Sequence, residues 1–445
     1  MTPLLIGGLL PQHGLGGAQD LPISRGLVIF GAGAAVAVSF AVLALAWRTP
    51  RYDAATSGRL APDRLAAFVD SPLWRGALRT LGLLALLYLV VTAVFGKDLL
   101  INPLFGIFYV WIWVGMVPLS LVFGRVWRAI SPFRLINAGI ARLSGSHPDE
   151  GMLTYPERLG MWPAALGLLA FVWMELVYPH NVDLSPVRLW CAVYLAVMIA
   201  GGALFGSTFY ARADPFEVYS TLVAHASVWG RRDGRLVVRS PLANLDATPA
   251  TPGLIGVIAV LFGSTAFDAF RDSTRWLTFI QGTGRSPYLQ NNLGLLGFCV
   301  AVGVILWLAC VATAVGPGQS RRALPNQLAV SVIPIIIGYV VAHYLSYLVE
   351  IGTQTLVQAS DPLSNGSNIF GTGTLVVPYW LSYHPTFLAD TKVLAVVLGH
   401  VVGVVVAHER AIKVLPKKHQ LTGQLPLLVA MVCFTIGGLY LLFSS

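Results

Sequence analysis

Charged residues are scarce in this chain. They make up only 11% of its 445 residues, whereas hydrophobic residues make up 56%. A soluble protein of ordinary composition carries about a quarter charged residues, so the composition excludes a soluble enzyme and a disordered chain. The mean hydropathy of +0.71 and a series of apolar stretches close to the ~20 residues that cross a bilayer indicate an α-helical membrane protein.

Cysteine is scarce as well. The four cysteines all lie inside apolar stretches and none belongs to a Cys-x-x-Cys pair: Cys191, Cys299, Cys310 and Cys433. This distribution excludes a disulfide framework and a thiolate metal site. We interpret these cysteines as packing residues.

The apolar stretches predict a single integral membrane domain over residues 1–445. We expect an all-α, polytopic bundle of about ten transmembrane helices, embedded in a lipid bilayer. The predicted spans are 26–46, 76–96, 101–124, 159–178, 187–210, 252–270, 292–315, 325–349, 391–409 and 422–443.

The net charge of +9 is distributed in a way that predicts the orientation of the bundle. One alternating set of loops holds 22 of the 29 Lys and Arg residues, and positively charged loops face the cytoplasm. The N-terminus and the C-terminus are therefore both predicted to lie outside. The basic residues form no dense stripe with interleaved aromatics, so we predict no nucleic-acid partner.

Two segments of the first half resemble each other and predict a parallel tandem repeat, 76–145 and 159–230. Each carries LGLLA, then a turn with Asp and Pro, then a span ending in Phe-Gly, then Ser-Pro-Phe or Asp-Pro-Phe, at offsets of 85, 85, 82 and 83 residues. Four matches in the same order favour a repeated unit. We expect each unit to be a two-helix hairpin followed by a helix on the membrane surface, over 131–145 and 214–230.

Ionisable residues inside membrane spans are costly, which makes them candidates for function. His343, Tyr347 and Glu350 share one helix face by their spacing, and His400 lies near the middle of the next span, flanked by Gly399 and Gly403. If these neighbouring spans pack antiparallel, the two imidazoles can share a metal ion. The flanking glycines would allow a second backbone to approach closely.

Further polar residues lie at the predicted outer side. A long external loop, 351–390, is predicted to form an ordered cap, and Glu350 faces either Asp361 or His384 there. Glu175, Asp268 and Asp272 are other possible participants. The simpler interpretations are hydrogen bonding of each histidine within the bundle, pairing of Asp268 and Asp272 with nearby arginines at the surface, and an interfacial position for His408 and Glu409.

Three segments of the second half carry a resemblance to a known family: IPIIIGYVVAHYLSYLVE (333–350), SDPLSNGSNIFGTG (360–373) and VLGHVVGVVVAHERAI (397–412), with HGLGGAQDLPIS (13–24) as weaker support. They resemble polytopic bacterial membrane proteins labelled fenitrothion hydrolase. The resemblance implies cleavage of the aryl ester bond of a lipophilic organophosphorus triester. It also implies a location in the bacterial cytoplasmic membrane. The resemblance assigns no residue roles, but such chemistry needs an activated water, which a divalent transition metal such as zinc can supply. From their positions, His343 and His400 are the candidate metal ligands and Glu350, Asp361 and His384 the catalytic candidates.

Two other functions stay open at this point. Ten spans, a repeat and intramembrane ionisable groups are typical of a transporter, and Pro103, Pro118 and Pro334 mark where broken helices would favour that function. The third possibility is a non-catalytic subunit of a redox complex, in which His343 and His400 would ligate haem; a second histidine pair at matching depth is missing from the sequence.

Overall fold

The computed structural model describes residues 16–313, 320–416, 419–420 and 422–444. The part of the N-terminal tail before residue 16 lies outside the described residues, as does the predicted end of the seventh span at 314–315. The α-helices are α1 (Arg25–Ala46), α2 (Asp63–Asp70), α3 (Pro72–Phe95), α4 (Pro103–Gly106), α5 (Met116–Phe123), α6 (Val126–Ile130), α7 (Pro132–Leu143), α8 (Trp162–Leu176), α9 (Leu184–Phe205), α10 (Ser207–Ala213), α11 (Pro215–Ala224), α12 (Pro241–Asp246), α13 (Leu254–Arg271), α14 (Thr274–Gly282), α15 (Pro287–Val311), α16 (Leu324–Leu328), α17 (Ile333–Ala359), α18 (Trp380–Tyr383), α19 (Pro385–Val414) and α20 (Leu425–Leu442).

The described part of the chain is an all-α polytopic bundle, as the composition predicts. Eight of its helical segments are long and apolar enough to cross a membrane. They are α1, α3, α9, α13, α15, the continuous segment Leu324–Ala359 that contains α16 and α17, α19, and Thr422–Leu442 that contains α20.

The third predicted span is a broken helix. Pro103–Val114 and Met116–Phe123 meet at an angle of 47°, and Ile107–Val114 is π-helical. The amide of Gly115 donates to the carbonyl of Val110, five residues back, at 2.9 Å. Pro118 explains the break, because proline has no N–H to continue the α-helical pattern. Counted as one crossing, this bent pair gives a ninth span.

The fourth predicted span, 159–178, is present as the shorter apolar helix α8. Its 15 residues extend over about 22 Å at the α-helical rise, less than the ~30 Å of a hydrocarbon core. Most of its apolar side chains are buried against other helices. One face of α8 is buried against other helices, whereas Trp162 and Leu166 on its other side are 48% and 65% exposed.

A small sheet lies in the predicted cytoplasmic part. Its strands are β1 (Arg59–Leu60), β2 (Trp229–Arg232) and β3 (Arg235–Val238), in the order β1-β3-β2 with antiparallel pairing. Asp233 and Gly234 both have positive φ angles, 51° and 77°, as the tight turn of a two-residue hairpin requires. Residues 229–238 therefore form a β-hairpin between α11 and α12.

The external loop is shorter than the predicted range 351–390. Helix α17 continues to Ala359 and α19 starts at Pro385, so the connection covers residues 360–384. It contains a 3₁₀ turn, Thr372–Thr374, and α18. Ser360 fixes the loop, since its hydroxyl accepts hydrogen bonds from the amides of Phe370 and Thr372, both at 3.1 Å. Such contacts are typical of an ordered loop.

The most buried spans are the segment containing α17 and helix α13. In their most apolar windows 83% and 78% of the residues are buried, compared with 17% for α3. Helix α17 packs closely along α19, and glycines make this possible. A Cβ on Gly399 would lie 2.7 Å from the carbonyl oxygen of Pro334, and one on Gly403 would lie 2.8 Å from that of Ser331. The predicted close approach at these two glycines is confirmed.

This contact gives a stability prediction. We expect Gly399→Ala to destabilise the protein by about 1–3 kcal/mol, because the methyl group must push two backbones apart. Gly437→Ala on α20 is the matched control, since its Cβ would meet nothing within 4 Å; helix propensity should make that change neutral or stabilising by up to about 1 kcal/mol. Thermal unfolding in detergent measures both, and equal behaviour would contradict the packing argument.

The two predicted repeat units contain the same elements in the same order. A helix (α3 or α8) is followed by a turn, a second helical segment, a short helix (α6 or α10) and a final helix (α7 or α11). Gly124 and Gly206, which precede the two short helices, both have positive φ, 80° and 62°. This correspondence supports the predicted duplication.

The two final helices differ in environment. Helix α7 has a mixed pattern of buried and exposed residues, as predicted for a surface helix, whereas almost every side chain of α11 is buried. The surface position predicted for 214–230 is therefore wrong for α11. Its mixed sequence suits an interior position because its polar residues find partners there. Asp214 accepts hydrogen bonds from Trp127 Nε1 and the Tyr194 hydroxyl, at 2.9 and 2.8 Å.

Equivalent residues of the two units also bind each other. At an offset of 83 residues, Arg134 corresponds to Glu217, and the Arg134 guanidinium donates to both Glu217 carboxylate oxygens at 2.7 and 2.6 Å. The Tyr210 hydroxyl of the second unit also donates to the Phe133 carbonyl of the first unit at 3.3 Å. These contacts join the two units.

Candidate functional site

A polar cluster in the bundle interior surrounds Asp268, near the end of α13. Asp268 Oδ2 lies 3.0 Å from His343 Nε2 and accepts a hydrogen bond from the Tyr344 hydroxyl at 2.7 Å, both from α17. Asp268 and His343 are 3% and 6% exposed. The cluster therefore joins the two most buried spans, and Trp113 of the π-helical segment lies within hydrogen-bonding range of Tyr344.

A second carboxylate belongs to the same region. Glu175 of α8 interacts electrostatically with Asp268 and with Arg271. Its Oε2 atom is buried and accepts no hydrogen bond from any described residue. Arg271 connects the two helix ends, because its guanidinium donates to the carbonyl of Leu176 and lies 4.0 Å from Asp268.

The two buried carboxylates of this cluster share the Arg271 guanidinium with a third carboxylate. Arg271 is one cation for Glu175 and Asp268, and it is shared with the half-exposed Asp272 at 3.5 Å. Uncompensated charge is costly in an apolar interior. The Arg271 guanidinium therefore holds the ends of α8 and α13 together.

The structure does not place His400 in this cluster. Its Nδ1 atom lies 2.8 Å from the Val396 carbonyl oxygen, one turn earlier on α19. The buried Nε2 atom has no hydrogen-bond partner among the described residues. No group of three or more His, Cys, Asp or Glu side chains that could hold a metal ion occurs within the described ranges. Zinc binding by His343 and His400 therefore stays a prediction.

Glu350, the first of the three catalytic candidates, is buried near the outer end of α17. Its Oε1 atom accepts a hydrogen bond from the hydroxyl of Ser382 in α18. His384, two residues further on, is exposed, stacks on the Trp380 ring at 4.2 Å and has Nδ1 2.7 Å from the Trp380 carbonyl oxygen. Glu350 thus contacts the external loop as predicted, but through Ser382 and not through His384.

Asp361, the other predicted partner of Glu350, binds its own turn. Its carboxylate accepts hydrogen bonds from the amides of Asn365 and Gly366 and from the Ser367 hydroxyl, at 2.8 to 3.0 Å. Partial burial raises the pKa of Asp361, but these hydrogen bonds outweigh it, so the pKa lies below the usual value. A carboxylate of this kind is a weak base, and its contacts stabilise the loop.

His408 and Glu409 are buried, not interfacial as the simpler interpretation predicted. His408 Nε2 lies 2.7 Å from the Trp47 carbonyl oxygen. Both carboxylate oxygens of Glu409 accept from the amide of Arg51, and Glu409 also accepts from the indole N–H of Trp47. The adjacent basic loop suggested a solvated helix end. Instead, these two side chains hold the segment after α1 against α19.

The sequence predicts Asp268 and Glu175 only as additional participants in the site. Both stand at the ends of their predicted spans, where a carboxylate ordinarily reaches water, and Asp268 has Arg271 and Asp272 as close sequence neighbours. One feature of the sequence did indicate an inward position for Asp268. The span that contains it is apolar on nearly every side, which is typical of a buried helix, and α13 is indeed buried on nearly every side.

No family model matches this chain, and no curated protein or solved structure matches it either. The fold and the polar cluster nevertheless define a class: a multi-pass α-helical membrane protein with ionisable side chains inside its bundle.

Proposed function

We propose that this protein is a proton-coupled membrane transporter in which Asp268 and His343 carry the proton. The observation that supports this proposal is the buried Asp268–His343 contact of 3.0 Å between the two most enclosed spans. Ionisable groups held inside a bundle are typical of proton pathways. The broken third span, whose π-helical part reaches Tyr344, is typical of transporters as well.

In this mechanism a proton enters the cluster from the outer side by way of Glu175. The turn that follows α8 connects there: the Asn181 side chain donates to the Glu175 carbonyl, and the Tyr109 hydroxyl donates to the Asn181 carbonyl. The proton then moves to the Asp268–His343 pair, and Tyr344 stabilises whichever carboxylate is charged. Protonation changes the charge at the junction of α8, α13 and α17, which gives the bundle two states with different preferred packing.

Proton movement in proteoliposomes tests the proposal. Vesicles that contain the protein receive a mixture of small solutes and an imposed potassium diffusion potential. We expect a proton flux that depends on the protein and that falls at least about tenfold in Asp268→Asn. Asp272→Asn is the matched control, because Asp272 is half-exposed and four residues further along; its flux should stay within about twofold. Infrared difference spectra between two pH values should show a carboxyl band that Asp268→Asn removes.

Two results would refute this function. One is wild-type protein that is folded and monodisperse but shows neither flux nor a titrating carboxyl band. The other is an equal loss of flux in Asp268→Asn and Asp272→Asn, which would indicate a general charge effect at the outer surface.

A second candidate is metal-assisted hydrolysis of a lipophilic organophosphorus triester. The unpartnered, buried Nε2 of His400 favours it, because an imidazole nitrogen without a hydrogen bond is available to a ligand. Elemental analysis of the purified protein tests this function. About one equivalent of a transition metal that is lost in His343→Ala/His400→Ala, together with nitrophenol release, would establish it. A metal-free, folded wild type would exclude it.

A further inference from the structure

A group of arginines at the predicted cytoplasmic face lies outside the site described above. Arg125 immediately precedes α6, Arg128 lies within α6, and Arg79 lies on α3. Gly82, three residues after Arg79 and so on the same helix face, allows α6 to approach α3. A Cβ there would lie 1.6 Å from the Ile130 carbonyl oxygen. The close packing brings the three arginines to one corner of the bundle, where each is exposed.

The carboxylates of the described residues offset the positive charge at this corner only in part, since Glu217 and Asp149 act on Arg128 without forming an ion pair with it. None of the three guanidinium groups has a described carboxylate within 4.0 Å; the nearby Glu217 is bound by Arg134, and Asp70 by Arg75 and Arg231. Partial burial and then the neighbouring arginines lower the pKa of both Arg125 and Arg128 from the usual guanidinium value.

The positive charge of Arg125 also affects His225. Its Nε2 atom lies 3.4 Å from an Arg125 guanidinium nitrogen. Burial, and then the charge of Arg125, lowers the pKa of His225 to about 3. The imidazole is therefore neutral at physiological pH and adds no positive charge to the corner.

Apolar surface continues from the arginines into the predicted bilayer region. Leu81 and Leu84 on α3 are 58% and 57% exposed, and Val122 and Phe123 at the end of α5 are 57% and 67% exposed. An amphiphile with a negatively charged head and apolar chains matches this arrangement, in which a basic surface is followed by an apolar one. Arginine is well suited to the head, because its planar donors bind phosphate oxygens in pairs.

We propose that Arg79, Arg125 and Arg128 form a binding site for the phosphate headgroup of an anionic phospholipid of the cytoplasmic leaflet. The site supplies several N–H donors for the phosphate and lipid-facing side chains for the acyl chains. Such basic corners between membrane helices suit anionic headgroups. The proposal is independent of the transport function, since none of these residues touches the Asp268 cluster.

Lipid binding to the full chain tests this site. Native mass spectrometry in detergent, with phosphatidylglycerol or phosphatidylcholine of identical acyl chains, should show at least about fivefold tighter binding of the anionic lipid to wild type. Arg79→Gln/Arg128→Gln should reduce that binding about tenfold. Arg125 is left unchanged because of its contact with His225.

The matched control is Arg142→Gln/Arg235→Gln. It removes two charges from the same face at exposed positions outside the corner, and we expect its lipid preference to remain that of wild type. The single variant Arg79→Gln, with an intermediate loss, serves if the double variant fails to fold. Equal binding of the two lipids to wild type would overturn the proposal, as would an equal loss in the control.

A soluble phosphate compound would offer the arginines the same phosphate group as a lipid headgroup. A competition experiment distinguishes the two ligands. Inorganic phosphate or glycerol phosphate at millimolar concentration should leave bound phosphatidylglycerol largely in place, because neither carries acyl chains for the apolar surface. If either displaces the lipid completely, the site is one for soluble phosphate and the lipid proposal is wrong.

Discussion

Replacing Arg134 with methionine should lower the free energy of unfolding by about 3–5 kcal/mol. The change leaves the carboxylate of Glu217 without its cation, and that side chain is only 1% exposed. Removing one partner of a buried pair is costly because the other charge stays in an apolar environment. Denaturant or thermal unfolding in detergent, monitored by helical circular dichroism, measures the loss.

Two further variants separate the buried charge from other effects. Arg134→Met/Glu217→Leu removes both charges and should recover most of the lost stability, since apolar replacements of a buried pair are often neutral. Arg75→Met is the matched control, because Arg75 pairs with Asp70 at 2.9 Å where both side chains are partly exposed, at 56% and 32%. That change should cost less than about 1 kcal/mol. A double variant as unstable as Arg134→Met would contradict the argument.

This pair also shows how far the repeat could be predicted. The Ser-Pro-Phe and Asp-Pro-Phe matches placed Arg134 and Glu217 at equivalent positions. The repeat unit could not reveal that the two final helices would meet, because a repeat fixes the order of elements within each unit and not the contacts between units. The same limitation explains α11: its pattern of polar residues suits a membrane surface, and only the contact between units buries it.

The spans themselves followed from composition. Long apolar stretches have few structural solutions in a bilayer, so the helices could be located from hydropathy. Their ends were less certain, because α17 and α19 extend beyond the apolar stretches into the external loop. The broken third span was suggested by Pro118, but π-helical geometry in Ile107–Val114 depends on local packing that no residue pattern specifies.

The candidate site was only partly predictable, and helix geometry explains the difference. His343 was found because it is ionisable within a span, and α17 does pack against α19 as expected. The contact between those helices is made by Gly338 and Gly399, however. His343 follows Gly338 by five residues, about 140° further around the helix. It therefore faces α13 and Asp268, and not α19 and His400.

The largest functional effect is expected for His343→Gln, which should reduce proton flux about a hundredfold or more. Glutamine retains hydrogen-bonding groups near Asp268, but it cannot exchange a proton, and a positioned acid–base group contributes on the order of 10²–10⁴ to a rate. Tyr344→Phe removes the 2.7 Å hydrogen bond to Asp268 and should reduce flux about tenfold. Both are measured in proteoliposomes against wild type with the same imposed potential.

The combination with Asp268→Asn distinguishes a proton relay from a structural contact. If His343 and Asp268 act as one unit, Asp268→Asn/His343→Gln should be no slower than the slower single variant, because groups that act together are not additive. Independent structural roles would instead multiply the two losses and lower the unfolding temperature in parallel. Wild-type flux should also be slower in heavy water, and Asp272→Asn should keep that isotope effect. A His343→Gln protein with unchanged flux would show that the buried Asp268–His343 contact only holds α13 against α17.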